Sequence, residues 1–242
     1  MAAVAPSDIQ PDVSPDVSSV AMPGPVAVQR ERLVTGLASD TGAVRATNED
    51  AVGVSQEHRL CVLADGMGGH NAGEVASRLA VDTVLGYMNA WADRPESAGG
   101  WSFGYDRKLS ESGNRVRSAV CMADLRIHEL AAVRPLYAGM GTTVVAAAVR
   151  DGLLSVAHVG DSRMYVYSNH CLRQLTQDDT WLAAMVADGS DEAALEYHPM
   201  RHALTNVLGT SKRADVHLSE RVLAGGELLL LTTDGIHGVL EP

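Results

Sequence analysis

The chain has 242 residues, of which 46% are apolar and 20% charged, with a formal net charge of −11. That suits one domain, or one domain plus a tail, with enough apolar content for a real core. The acidic balance and the lack of a basic stripe argue against a nucleic-acid binder. No apolar stretch reaches the roughly 18 residues a membrane-spanning helix needs, so no span is expected. The negative charge fits either a solvated surface or a site built for cations.

Residues 1–30 hold five of the nine prolines and the run "PDVS" twice in succession. Their apolar content is too low to pack, which predicts a disordered Pro/Ser/Asp-rich tail ahead of a folded domain over 31–242. No basic residue precedes Arg30 and no continuous apolar core is present, so this segment does not read as a secretory signal. Three cysteines, Cys61, Cys121 and Cys171, make an odd count without a C-x-x-C pair. They read as reduced thiols packed as small hydrophobes in a cytoplasmic protein.

From Leu33 the chain alternates between strand and helix patterns. "LVTGLASDTG" (33–42) reads as a strand leading into a loop, and "AVGVS" (51–55) and "RLCVLAD" (59–65) read as short strands. Beyond Gly73, Ala76, Leu79, Ala80, Val84, Met88 and Trp91 recur at three- and four-residue steps, the spacing of an amphipathic helix. A loop over 93–112 follows. Val116, Val120, Ala123, Ile127 and Leu130 then repeat the helical step. "TTVVAAAV", "LLSVAHVG", "MYVYS" and "CLRQLT" read as strands, with turns at Asp151-Gly152 and Ser168-Asn169. "DDTWLAAMVADG" predicts a short helix, and "ELLLLTTD" a last, fully buried strand. Strands, two long helices and then a run of strands suit sheet packed on sheet with helices outside.

Three apolar runs end on an acid: "VLADGMGG" at Asp65, "VAHVGDSR" at Asp161 and "LLLLTTDGIHG" at Asp234. A buried carboxylate without a partner costs several kcal/mol, so each needs one. Taken singly, each has a plain alternative. "VRATNED" (44–50), with Arg45, Glu49 and Asp50, reads as a charged loop. Asp-Gly after a strand is often a hairpin turn, although a helix pattern follows Asp65-Gly66. Asp161-Ser162 suits a strand–turn–strand hairpin. Together they say more. If the strand ends meet on one side of a sandwich, Asp65, Asp161, Asp234 and Glu49 converge, and such a cluster cannot ionise fully without cations. Divalent ions would satisfy it, with hard oxygen ligands suited to Mg²⁺ or Mn²⁺. Arg45 alongside could grip a phosphate. Two metals, an activated water and an Arg are what hydrolysis of a phosphate ester requires.

The pieces "RATNED", "LADGMGGHNAGEVAS", "GMGTT", "HVGDSRMY", "LTQDD", "ALTNVLG" and "LLLLTTDGI" occur in this order over roughly residues 33–240. In this the chain resembles the metal-dependent Ser/Thr protein phosphatases of the type 2C class, in their bacterial form. The resemblance implies an α+β fold, a four-layer α-β-β-α sandwich with antiparallel sheets and a two-metal centre at one end. It implies that Asp65 bridges two Mn²⁺ or Mg²⁺ ions, that the Gly66 carbonyl binds one and Asp234 the other, and that Glu49 and Asp50 hold metal-bound waters. Arg45 would bind the substrate phosphate, and Asp161 would help to hold a third, weaker ion. The bridging water would attack phosphorus in line, with no phosphoenzyme. Residues around 178–205 would form a flap beside the cleft. The implied partners are phosphorylated protein substrates and an opposing Ser/Thr kinase in bacterial signalling.

Two departures stand out. Met67 occupies the place of a His found in eukaryotic members, which leaves the general acid open, with His70 near in sequence. The chain also lacks the family's Gly-x-Asp-Asn segment, whose Asp shares a metal with Asp234. Weaker metal binding at Asp234 and an open sheet edge are then expected. Two readings follow: a metal-dependent phosphatase, or a catalytically impaired pseudophosphatase acting as a phosphoprotein-binding module.

Overall fold

The computed structural model describes residues 33–43, 45–68, 72–92, 101–210 and 213–240. The expected tail over 1–30 and His70 lie outside them. A compact unit begins at Leu33.

The main sheet is built from β1 (Asp50–Ser55), β2 (Leu60–Met67), β4 (Val144–Arg150), β5 (Leu153–Val159) and β8 (His217–Val222) in that spatial order, with the two-residue β3 (Gly141–Thr142) continuing alongside the end of β2. The second sheet has the order β7 (Cys171–Gln174), β6 (Arg163–Ser168), β9 (Leu228–Thr232). Every pairing is antiparallel. The two long helices are α1 (Ala72–Ala92) and α2 (Glu111–Val133); α3 (Trp181–Ala187), α4 (Glu192–Leu195) and α5 (Asp234–His237) are short.

The strand β4 shows how the layers assemble. Its sequence VVAAAV is buried on both faces. Val144, Ala146 and Ala148 join a core with Ala76, Ala80 and Val84 of α1 and Val116, Val120 and Ile127 of α2. The alternate residues Val145, Ala147 and Val149 join a second core with Met164 of β6 and Leu229 and Leu231 of β9. A continuous apolar run is what a strand covered on both sides requires. α2 begins at the N-cap Ser110, whose Oγ accepts the Gly113 N–H at 3.0 Å, and stops before Pro135, since a residue preceding Pro avoids the helical region.

The α+β class with antiparallel sheets agrees with the sequence reading, and the described residues form layers of helix, sheet and sheet. Several local expectations change. Residues 33–40 join no strand, and Val34 and Leu37 are exposed. β9 is not fully buried: Leu228 and Leu230 are exposed and Leu229 and Leu231 half-buried, because only one face of this edge strand meets the core. β5 and β6 do not form a hairpin; the turn at Asp161 carries the chain from one sheet to the other. The turn after β6 centres on Asn169 and His170, both at positive φ, as the tight turn of a right-twisted hairpin needs. Cys171 is exposed rather than packed. β8 was not legible as a strand, since HLSERV carries polar residues at four of its six positions.

Candidate metal centre

Asp50 opens β1 and Asp65 lies near the end of β2, and the two are direct cross-strand partners. Direct partners project to the same face, so two carboxylates stand side by side where like charges destabilise a sheet. Asp161 comes from the crossover between the sheets and Asp234 opens α5 directly after β9. One end of the sandwich thus gathers an acid from each of four strand ends. Burial first, then the carboxylates of Asp50, Asp234 and Asp161, push Asp65 up to about 8. Burial and then Asp234 and Asp178 push Asp161 up to about 6. Asp50 is raised as well, chiefly by burial, although the Thr233 hydroxyl donates to its Oδ2 at 3.1 Å.

The backbone around Asp65 is held by hydroxyls. The Asp65 N–H donates to Thr143 Oγ1 at 3.1 Å, and the Asp65 carbonyl accepts from the Thr143 N–H at 2.9 Å and from Thr142 Oγ1 at 2.8 Å. Thr143 Oγ1 also bonds Ser162 Oγ at 2.7 Å, which ties the Asp161 turn to β2. Thr142, Thr143 and Ser162 are buried. The run "GMGTT" contains these threonines, but nothing in its spacing tells which backbone they hold. Thr233, Ser162 and Gly73 were likewise invisible as site residues, because their partners are far away in sequence.

Glu49 and Arg45 sit at the rim. Arg45 Nη1 lies 3.2 Å from Glu49 Oε2, with the arginine side chain 73% exposed. The Glu49 carboxylate lies against Gly73 at the start of α1. Gly66 is buried, and its N–H donates to the Glu49 carbonyl at 3.1 Å. Arg45, Glu49, Asp50, Asp65, Gly66, Asp161 and Asp234 therefore all fall at one end of the sandwich.

Do these residues suit divalent ions? The charged donors are all hard oxygens, the type that Mg²⁺ and Mn²⁺ prefer. Among the described residues, no three His, Cys, Asp or Glu close into a cage around one ion. Mg²⁺-type sites take one or two carboxylates and keep several waters, so they need no such cage. A carboxyl pushed up to about 8 by burial and by the acids around it marks a place where the carboxylate form lacks a counter-charge, which a divalent cation would supply. The residues fit.

A sandwich with clustered carboxylates where its two sheets meet has the make-up of a divalent-cation centre. Residues 43–242 match the family model for protein phosphatase 2C. The chain is 35% identical over 200 residues to the serine/threonine protein phosphatase PstP of Mycobacterium tuberculosis, a match that covers 82% of this chain and 35% of that protein. It is 32% identical over 208 residues to the serine/threonine phosphatase stp of Listeria monocytogenes, covering 82% of this chain and 75% of that protein. It also superposes on a crystal structure of the catalytic domain of PstP in complex with two manganese ions. There the TM-score is 0.67 at 32% identity, covering 84% of this chain and 78% of the other. The chain belongs to the protein phosphatase 2C family.

Proposed function

We propose that residues 31–242 hydrolyse phosphoserine and phosphothreonine in proteins with the help of two Mn²⁺ or Mg²⁺ ions. Asp65, Asp234 and the Gly66 carbonyl would hold them, with Glu49 and Asp50 acting through water. The ions supply a nucleophile at neutral pH and charge neutralisation at the phosphate. Arg45, free to swing from its exposed pairing with Glu49, would take two phosphate oxygens. Asp161 would help to hold a third, weaker ion. The observation that carries this reading is the cross-strand pair Asp50–Asp65 facing Asp161 and Asp234: four acids are kept together at a cost to the fold. The manganese ions in the PstP neighbour support the choice of metal.

A phosphatase of this kind opposes a Ser/Thr kinase in bacterial signalling, and we place it in the cytoplasm. No helix among the described residues is long and apolar enough to cross a membrane.

The test is release of phosphate from a phosphothreonine peptide by the full chain, with Mn²⁺ and with EDTA, beside Asp234→Asn. Turnover that needs Mn²⁺ and is lost in Asp234→Asn supports the proposal. Peptide binding without turnover, in a folded chain carrying Mn²⁺, would favour the phosphoprotein-binding reading.

A further inference from the structure

We propose that Asp179 is a positioning residue for the Asp161 turn, joining it to both ends of the excursion over residues 180–204 that carries α3 and α4. The inference rests on the metal-dependent reading of the site given above.

Asp179 lies between β7 and α3, its side chain only 14% exposed. Its Oδ2 accepts the Gly160 N–H at 2.9 Å and Asn206 Nδ2 at 2.8 Å. Its Oδ1 lies 2.8 Å from His217 Nε2 on β8. Its own N–H donates to the Gly160 carbonyl at 3.0 Å. Its carbonyl accepts from the Thr205 N–H at 2.8 Å and from Thr205 Oγ1 at 3.0 Å. Asp179 thus grips both polar groups of the residue before Asp161, while the far end of the excursion returns to it through Thr205 and Asn206. Thr180 and Leu204 bridge the two stems just outside this junction.

The side chain suits the place. Three donors converge, and an ionised carboxylate offers acceptor sites for all of them. The turn it holds is braced on another side by Thr143. Gly160 has φ +94°, and a Cβ there would stand 2.6 Å from Thr143 Cγ2. Asp161 is therefore set between two fixed groups, Thr143 and Asp179. Cavities of 390 and 430 Å³ flank the junction, and Asp179 and His217 line both. A shift of α3 or α4 therefore has a direct route to the Asp161 turn through Asp179.

The experiment compares the full chain with Asp179→Ala and Asp179→Asn. Mn²⁺ binding is read from the electron paramagnetic resonance of the free ion, and turnover is read on a small aryl phosphate. Asp179→Ala is expected to weaken the least tightly held Mn²⁺ and lower kcat by about tenfold or more, the usual effect of losing a residue that supports a ligand. Asp179→Asn keeps an oxygen for Gly160 and Asn206 and places an amide group at His217, so it is expected to recover most of the affinity. If Asp179→Ala does not fold, Asn206→Ala, which removes one strap from the same carboxylate, should weaken Mn²⁺ in the same direction by less. A folded Asp179→Ala with wild-type Mn²⁺ affinity and kcat overturns the proposal, as does an Asn206→Ala that changes nothing, or an Asn variant as impaired as the Ala. A wild-type chain that binds no Mn²⁺ overturns the metal-dependent reading, and this inference with it.

Discussion

Gly66 and Gly73 meet backbone to backbone: a Cβ on Gly66 would fall 2.0 Å from the Gly73 carbonyl oxygen. It would also lie 2.8 Å from the carbonyl oxygen of Glu49, which already accepts the Gly66 N–H and the Ser77 hydroxyl. The loop before β1, the end of β2 and the first turn of α1 are thus pressed together beside Asp65. Backbone cannot step aside as a flexible side chain can. Gly66→Ala should cost about 3 kcal/mol, the upper end for overpacking, and weaken Mn²⁺ binding with it. Urea unfolding checks the first and a Mn²⁺ titration the second; an unchanged midpoint would refute the close approach.

The facing pair Asp50–Asp65 sets up a trade between stability and metal binding. Asp65→Asn removes a carboxyl that burial and the facing Asp50 push up to about 8, so at neutral pH the metal-free wild type must take up a proton to fold and the variant need not. In EDTA the variant should melt above the wild type. With Mn²⁺ the order should reverse, because a ligand that binds only the folded state stabilises it. Thermal melts of both proteins in both conditions decide the matter, and a variant less stable than the wild type in EDTA would count against a repulsive cluster.

Thr143 can be tested by a substitution of nearly the same shape. Thr143→Val keeps both branches but leaves the Asp65 N–H and the Ser162 hydroxyl without their shared partner. An unpaired buried polar group costs about 1–3 kcal/mol. Thr143→Ser retains the hydroxyl and should recover much of that loss. Chemical denaturation of the three proteins gives the comparison.

His158 makes stability depend on pH. Burial holds its imidazole below the ordinary 6.5, despite a hydrogen bond from the ring to the Gln177 carbonyl at 2.9 Å. Once unfolded, the ring takes up a proton more readily than in the folded chain. Its contribution is therefore complete above pH 6.5 and is lost as the pH falls from there through the lower folded value. His158→Gln can still donate to Gln177 and should show a shallower loss between pH 7 and pH 5 (about the range where imidazole titrates). The difference between the two stability curves isolates this residue from the carboxyls, which titrate in both proteins.

The cysteines should separate by reactivity. Burial pushes the Cys61 and Cys121 thiols up, Arg117 and Arg213 only partly offsetting it at Cys121, whereas Cys171 is exposed on β7. The thiolate is the reactive form, and access limits its reaction. A thiol reagent at neutral pH should therefore modify one thiol quickly and the other two only on unfolding, as read by mass spectrometry. Fast modification of Cys61 would contradict its packing in β2.

Periodicity carries both long helices and most of the strands. An apolar step of three and four residues, or an unbroken run such as VVAAAV, reports burial that any compact fold must provide. The segment at 33–42 and the strand β8 mark where that stops. The first has strand-forming residues that pair with no strand among the described residues, and the second has a partner, β5, that outweighs its polar composition. Propensity along a strand is legible, but pairing belongs to two segments at once.

The same division runs through the site. The sequence by itself determined which residues are acidic, that Asp65 and Asp234 close apolar runs and Asp161 follows one, and that glycines flank Asp65, since these are properties of short stretches. Only the tertiary structure decided that Asp50 stands opposite Asp65, that Thr143 binds both sides of the Asp65 peptide, and that Asp179 reaches Gly160. Each of those depends on sheet register or on a crossing between sheets. A shift of one residue in register would turn Asp50 to the opposite face and leave every local pattern in the sequence unchanged.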